Sequence, residues 1–351
     1  MQKPMTAPKS KLRLLGRILS PCLCWPLCLL GVLAAVTPAN AGALYGATSA
    51  GGPGELYLLN PTNGAVLQDI GPLNDSGGTN YPITGLAFHP VTRVLYGSTG
   101  NSVDATAALL VSINPQTGRV AVIGPFNAGN AGRPATMGDL AFNPATGNLY
   151  GVGTVGGPQL YSINVATGQA TVIGGTGLTS TGGGGLAVSS NGVFYGTPSA
   201  TRYGTYDLGT GAFTLIANPT KPAGGGAYSA LAFDENGVLF GLNLGSGSPP
   251  PTHLVTIDPT TGTVTDLGAS VTSMDAIAFL PPVPPSLTIV SAGSQVTLSW
   301  PESPAFQLEY EANVASAAWL TNTVPPNLVN GTNYLTLPAD GTARFFRLRK
   351  P

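Results

Sequence analysis

The sequence predicts an all-β protein, a five-bladed β-propeller closed by a C-terminal inner strand and followed by a small β-sandwich. Three observations predict it. The first is composition: charged residues are only 8% of 351, hydrophobic residues hold at 43%, and there are 49 glycines and 32 prolines. Little charge with abundant apolar side chains argues for burial rather than a solvated disordered chain. So many glycines and prolines argue against long helices. The second observation is an internal repeat, and the third is a phase shift between the two ends of the repeat array.

Residues 1–41 come first. Lys3, Lys9, Lys11, Arg13 and Arg17 precede an apolar run from Ile18 to Val36 and then the small-residue triplet Ala39-Asn40-Ala41. That order is the order of a secretory signal peptide, leaving Gly42 first, or Leu44 if Ala41-Gly42-Ala43 is used. The apolar run is long enough to just span a bilayer, but Pro21 and Pro26 interrupt it. The expected product is secreted, periplasmic or at the cell surface, as in a bacterial envelope protein. It has no transmembrane segment once the leader is removed. Cys22, Cys24 and Cys28 all fall in the leader, so the mature chain has no disulfide, thiolate zinc site or cysteine nucleophile. A net charge of −1 excludes electrostatic binding of nucleic acid.

Residues 42–280 hold the repeat. One half-motif reads GLAFHPVTRVLYGST at 85–99, DLAFNPATGNLYGVG at 139–153, GLAVSSNGVFYGTP at 185–198 and ALAFDENGVLFGLN at 230–243. The other reads ELYLLNPTNGAVLQDIG at 55–71, with copies at 109–124, 159–174, 202–217 and 253–268. The anchors Phe88, Phe142, Val188, Phe233 and Phe279 are 54, 46, 45 and 46 residues apart. That period suits four short strands and three turns, the unit of a propeller blade. The turns are built from Asn or Asp, Pro and Gly, as in Asn143-Pro144-Ala145-Thr146-Gly147. Pro presets φ, Asn bonds back to the chain and Gly accepts positive φ at the exit. Each repeat therefore holds two hairpins, strands a to d.

The ends are out of phase. ALYGATS at 43–49 matches strand b, whereas AIAFLPP at 276–282 matches strand a and has no b, c or d after it. The last strand a should therefore complete the first blade. The repeats LYSINVATGQATVIG and LVTIDPTTGTVTDLG resemble the YVTN-type repeats of bacterial and archaeal envelope proteins, within a quinoprotein-dehydrogenase-like superfamily. LYG or LFG stands where that family has Tyr-Val-Thr-Asn. The resemblance covers about 43–280 and implies a propeller. The dense charged and aromatic contacts of a quinone site are missing, so no cofactor is expected.

Residues 281–286 form a proline-rich linker, since stacked prolines favour an extended spacer. Residues 287–351 read as alternating strands of a β-sandwich. QVTLSWPES and LPADGTARFFRLR resemble a fibronectin type III module, with phenylalanine in place of the corner tyrosine and nothing after it to supply a last strand. Arg344, Arg347, Arg349 and Lys350 make a basic end suited to a solvated strand edge.

Catalytic signatures are sparse. There is no nucleophile elbow or phosphate-cradling glycine loop. His89 and His253 stand apart from any second metal ligand, so no catalytic or metal residues are assigned. Propeller geometry brings the starts of the a strands to one channel mouth, and with them Thr84, Asp139, Gly184, Tyr228, Ser229 and Asp275. Neighbouring loops would add Tyr81, Asn130, Arg133 and Lys221. Four roles are open to Asp139 and Asp275: holding a cation with waters, binding a sugar hydroxyl, acting as an acid/base pair, or capping backbone N–H groups. The expected function is a monomeric, non-catalytic exported module that binds an extracellular protein or carbohydrate. The alternative is a secreted glycan hydrolase or lyase using carboxylates at the mouth.

Overall fold

The computed structural model describes residues 42–349, except 50, 101–105, 128, 131–132, 135, 154–157, 180–183, 284, 303–305, 316–317 and 340–343. Residues 1–41, where a leader is expected, lie outside the described residues. Every described element is a β-strand, with turns between. Among the described residues, no helix is long and apolar enough to cross a membrane.

Between 42 and 280 there are five four-stranded antiparallel sheets. The second runs a to d through Ile83–Phe88, Leu95–Thr99, Leu109–Ile113 and Val120–Pro125. The third is Met137–Phe142, Leu149–Gly153, Gln159–Ile163 and Ala170–Gly175, and the fourth is Gly185–Val188, Phe194–Ser199, Arg202–Tyr206 and Phe213–Ala217. The fifth is Ala227–Phe233, Leu239–Leu244, Thr252–Ile257 and Val264–Ala269. In the first sheet, strands b to d (Leu44–Thr48, Glu55–Leu59, Val66–Pro72) follow an a strand taken from the far end of the region, Met274–Phe279. Leu44 pairs with Phe279 and Gly46 with Ile277. Gly42 N donates to Leu280 O at 3.1 Å, and Leu280 N to Ala43 O at 2.9 Å.

The a, b and c strands are apolar and buried, and the d strands are largely exposed, as the burial patterns BBBBB at Leu149–Gly153 and Beeiie at Ala170–Gly175 illustrate. No sheet buries its faces alone. Five apolar cores lie between successive sheets: Leu56 with Ile83 and Phe88, Leu110 with Phe142 and Tyr161, Val152 with Phe194, and Tyr203 with Leu231. The last joins Leu242 and Leu254 of the fifth sheet to Leu44 and Ile277 of the first.

A backbone joint repeats at the perimeter. The glycines ending the c–d turns, Gly64, Gly118, Gly168, Gly211 and Gly262, all have φ between 68° and 79°. Each sits against the outer strand of the preceding sheet. A Cβ would come within 2.4 Å of Gly124 O at Gly168, and within 2.5 Å of Gly174 O at Gly211. Gly64 of the first sheet lies more loosely against the fifth, where a Cβ would come within 3.1 Å of the Leu254 side chain and 3.4 Å of Gly268 O. Gly168→Ala is therefore expected to lower the urea unfolding free energy by about 2 kcal/mol or more, because left-handed strain of roughly 1–2 kcal/mol adds to the collision. Gly192→Ala, with φ 82° and open space around it, should carry the strain alone. Equal losses would mean that the joint bears no load.

The C-terminal strands form two sheets. One has the order Thr288–Ala292, Gln295–Pro301, Thr332–Pro338, Asn327–Val329, and the other Leu320–Thr321, Gln307–Glu311, Phe345–Arg349. Leu298, Trp300, Leu308 and Leu335 form their own core. The basic end is partly engaged: Arg347 and Arg349 pair with the buried Glu309 at 2.7 and 3.3 Å, and Arg347 lies over the Trp319 ring.

Candidate functional site

The starts of the a strands do not form an open mouth. The inner strands touch there through backbone: a Cβ on Gly138 would lie 2.8 Å from Gly184 Cα, and one on Gly85 would lie 2.6 Å from Asp139 Cα. Gly184 N donates to Tyr228 O at 3.1 Å, linking the fourth sheet to the fifth.

Asp139 fills the centre of this end. It is 0% exposed. Its Oδ1 accepts the Leu140 N–H at 2.9 Å, and its Oδ2 accepts those of Leu186 at 2.9 Å and Leu231 at 3.0 Å. One carboxyl thus ties the inner strands of the third, fourth and fifth sheets, the backbone-capping role among the four open to it. Burial pushes its carboxyl well above the usual carboxylate range, opposed by the three N–H donors and reinforced by the charge of Asp275.

The sign of the pH effect follows. A folded-state pKa above the unfolded value near 3.8 means that the folded chain holds the proton more tightly. The contribution is fully present below that value and falls as pH rises through the folded pKa. Melting temperature should decline over that interval in the wild type and stay flatter in Asp139→Asn. Parallel pH profiles would remove Asp139 as the titrating group.

The other residues expected at this mouth are mostly engaged within the protein. Thr84 Oγ1 donates to Met137 O at 2.7 Å. Tyr228 is 1% exposed and donates to Thr220 O, and Tyr81, 6% exposed, donates to Asp75 Oδ2. Asp275 is half-buried. Ser229 Oγ is buried without a hydrogen-bond partner. Arg133 lies in a two-residue strand paired with Gly129–Asn130, and its side chain is outside the described atoms. The histidines are a turn group and a surface group: His89 Nδ1 accepts from Val91 N and Thr92 N, and His253 Nδ1 lies 3.0 Å from Asp266.

The open space is at the opposite end. A cavity of about 590 Å³ is lined by the second halves of all five a strands: Leu86–Phe88, Leu140–Phe142, Leu186–Val188, Leu231–Phe233 and Ile277–Phe279. Their side chains are largely buried between sheets. The inner edges of the strands have no neighbouring strand, so their backbone groups face the cavity. Its rim is made by the a–b turns, with Ser190 and Asn191 and Asp234 to Asn236, and by Pro281 and Pro282 after the last a strand. The lining contains no lysine, arginine or histidine, and its carboxylates, Asp234 and Glu235, are neighbours on one side. Asp234 Oδ1 is held by the N–H groups of Asn236 and Val238. Among the described residues, Asp139 and the glycines close the far end of the cavity.

This rim was missed from sequence, although a signal was present: DENG at 234–237 is the one a–b turn with two adjacent carboxylates. A smaller cavity of about 400 Å³ lies among Trp300, Leu308 and Pro325 in the C-terminal sheets.

An all-β chain of four-stranded sheets around a cavity walled by strand backbone and apolar side chains in near-equal measure is the class that fold and site define. No protein-family model matches the chain, and no curated protein matches it by sequence. Among solved structures it is similar to TolB from Acinetobacter baumannii, at 17% identity and TM-score 0.42, over 74% of this chain and 60% of that one. It is also similar to the PQQ-bound aldose sugar dehydrogenase from Streptomyces coelicolor, at 15% identity and TM-score 0.36, over 68% of this chain and 80% of that one. The chain therefore spans less than two thirds of the TolB structure.

Proposed function

We propose that this is an exported, non-catalytic binding module: a closed five-bladed propeller at 42–280, released from a leader at 1–41 and joined by a linker at 281–286 to a fibronectin-like module at 287–351. Its ligand, an extracellular glycan or protein group, enters the cavity. Closure is supported by the pairing of Met274–Phe279 with Leu44–Thr48 and by a fifth apolar core and a fifth glycine joint between the last and first sheets. The fibronectin-like reading is supported by the split of the tail into four- and three-stranded sheets. Export is supported by the basic–apolar–small order of the leader.

The observation that carries the binding role is the cavity itself, walled by every inner strand and open at one end. An inverting glycosidase needs two carboxyls about 6.5–9.5 Å apart, facing each other across a cleft. Here Asp139 is consumed by three backbone N–H groups, and Asp234 and Glu235 share one side of the rim. The test is a glycan-array and envelope-protein screen with the purified exported protein and with Ser190→Trp, which places a bulky ring on an exposed rim position. Binding to a defined ligand that Ser190→Trp abolishes is the expected result. Turnover of a polysaccharide, or binding indifferent to Ser190→Trp, would overturn the assignment.

A further inference from the structure

We infer that the cavity rim carries a site for a primary ammonium, filled in the exported protein by the chain's own Gly42 amino group. The inference rests on the proposed removal of the leader after Ala41. Gly42 is half-buried with φ 83°, and its N–H donates to Leu280 O at 3.1 Å. A Cβ on Gly42 would lie 3.5 Å from Glu235 Oε1, so that exposed carboxylate lies beside Gly42, and its flexible side chain can turn to the nitrogen. Glu235 is exposed, and among the described residues its side chain has neither a hydrogen-bond nor an ion-pair partner.

Cleavage changes the chemistry of that nitrogen. In the precursor it is a peptide N–H with one proton, committed to Leu280 O. Hydrolysis adds water across the Ala41–Gly42 bond, leaving a carboxylate on Ala41 and an amino group on Gly42. A free α-amine titrates near 7.7–8.0, so near neutrality it is an ammonium with three donors and a full charge. One donor keeps the Leu280 carbonyl and a second turns to Glu235. Both acceptors belong to residues lining the cavity. Processing therefore converts the acidic side of the rim into a zwitterionic edge, and any residue left before Gly42 prevents this.

The experiment uses protein exported from a bacterial host with its natural leader. Intact mass fixes the first residue. The wild type and Glu235→Gln are then each melted with the amino group free and acetylated. Acetylation should lower the wild-type melting temperature by about 1–3 °C, the scale of a surface ion pair, and leave Glu235→Gln unmoved. Lys221 and Lys350 react in both proteins, so their effect cancels. Equal shifts in the two proteins would overturn the site while leaving the leader reading intact. A mass beginning at Leu44 would also overturn it, because Gly42 is then gone. A mass retaining residues 1–36 would instead overturn the leader reading.

Discussion

Asp139→Ala is expected to remove a large part of the stability of the repeat region. It strands the N–H groups of Leu140, Leu186 and Leu231 where neither strand nor solvent replaces the lost acceptor. A buried donor left unpaired costs about 1–3 kcal/mol, and three together approach the about 5–15 kcal/mol of a typical domain. Urea unfolding of the purified chain measures the effect. A loss under about 1 kcal/mol would mean that water satisfies the three donors and that the clasp is dispensable.

The second large effect is expected from deleting 271–351, which removes the a strand of the first sheet together with the tail. Met274, Ala276 and Ile277 are each 0% exposed, and burying a side chain the size of Met or Ile is worth roughly 1.5–3 kcal/mol. The ladder to Leu44–Thr48 adds about 1 kcal/mol per bond. Leu44 and Leu59 would be laid open on the same sheet. Deleting only 287–351 should leave the melting temperature of the repeat region unchanged, since the tail core contains no residue from 42–280. Identical melting of both truncations and the full chain would rule out a shared closing sheet.

The strands were legible because each is a short apolar run between turn residues. GLAF at 85–88 and LYG at 95–97 became neighbouring strands with Leu86 opposite Gly97. The phase difference between ALYGATS and AIAFLPP likewise announced the pairing of Leu44 with Phe279. The site was read less well. Sequence marked Asp139 and Asp275 alike as acids at strand starts, but depth depends on how closely strands far apart in the chain approach. Gly85, Gly138 and Gly184 set that distance by lacking side chains, so the expected mouth became the sealed end. The open end followed from the same geometry, and its acidic turn at 234–235 had looked like one more hairpin.

The perimeter joints have one further consequence. Three of the five are made by backbone atoms, Gly118 on Pro72, Gly168 on Gly124 and Gly211 on Gly174, so those joints cannot tell their proper neighbour from another. Those joints leave sheet order to chain connectivity, the cores and the Asp139 clasp, and at a joint a turn from a second molecule fits as well as the native one. At high protein concentration, refolding chains should exchange sheets and yield interlocked dimers, the failure expected of interchangeable repeats. The clasp at Asp139, present in a single copy, is the feature that distinguishes correct neighbours from borrowed ones.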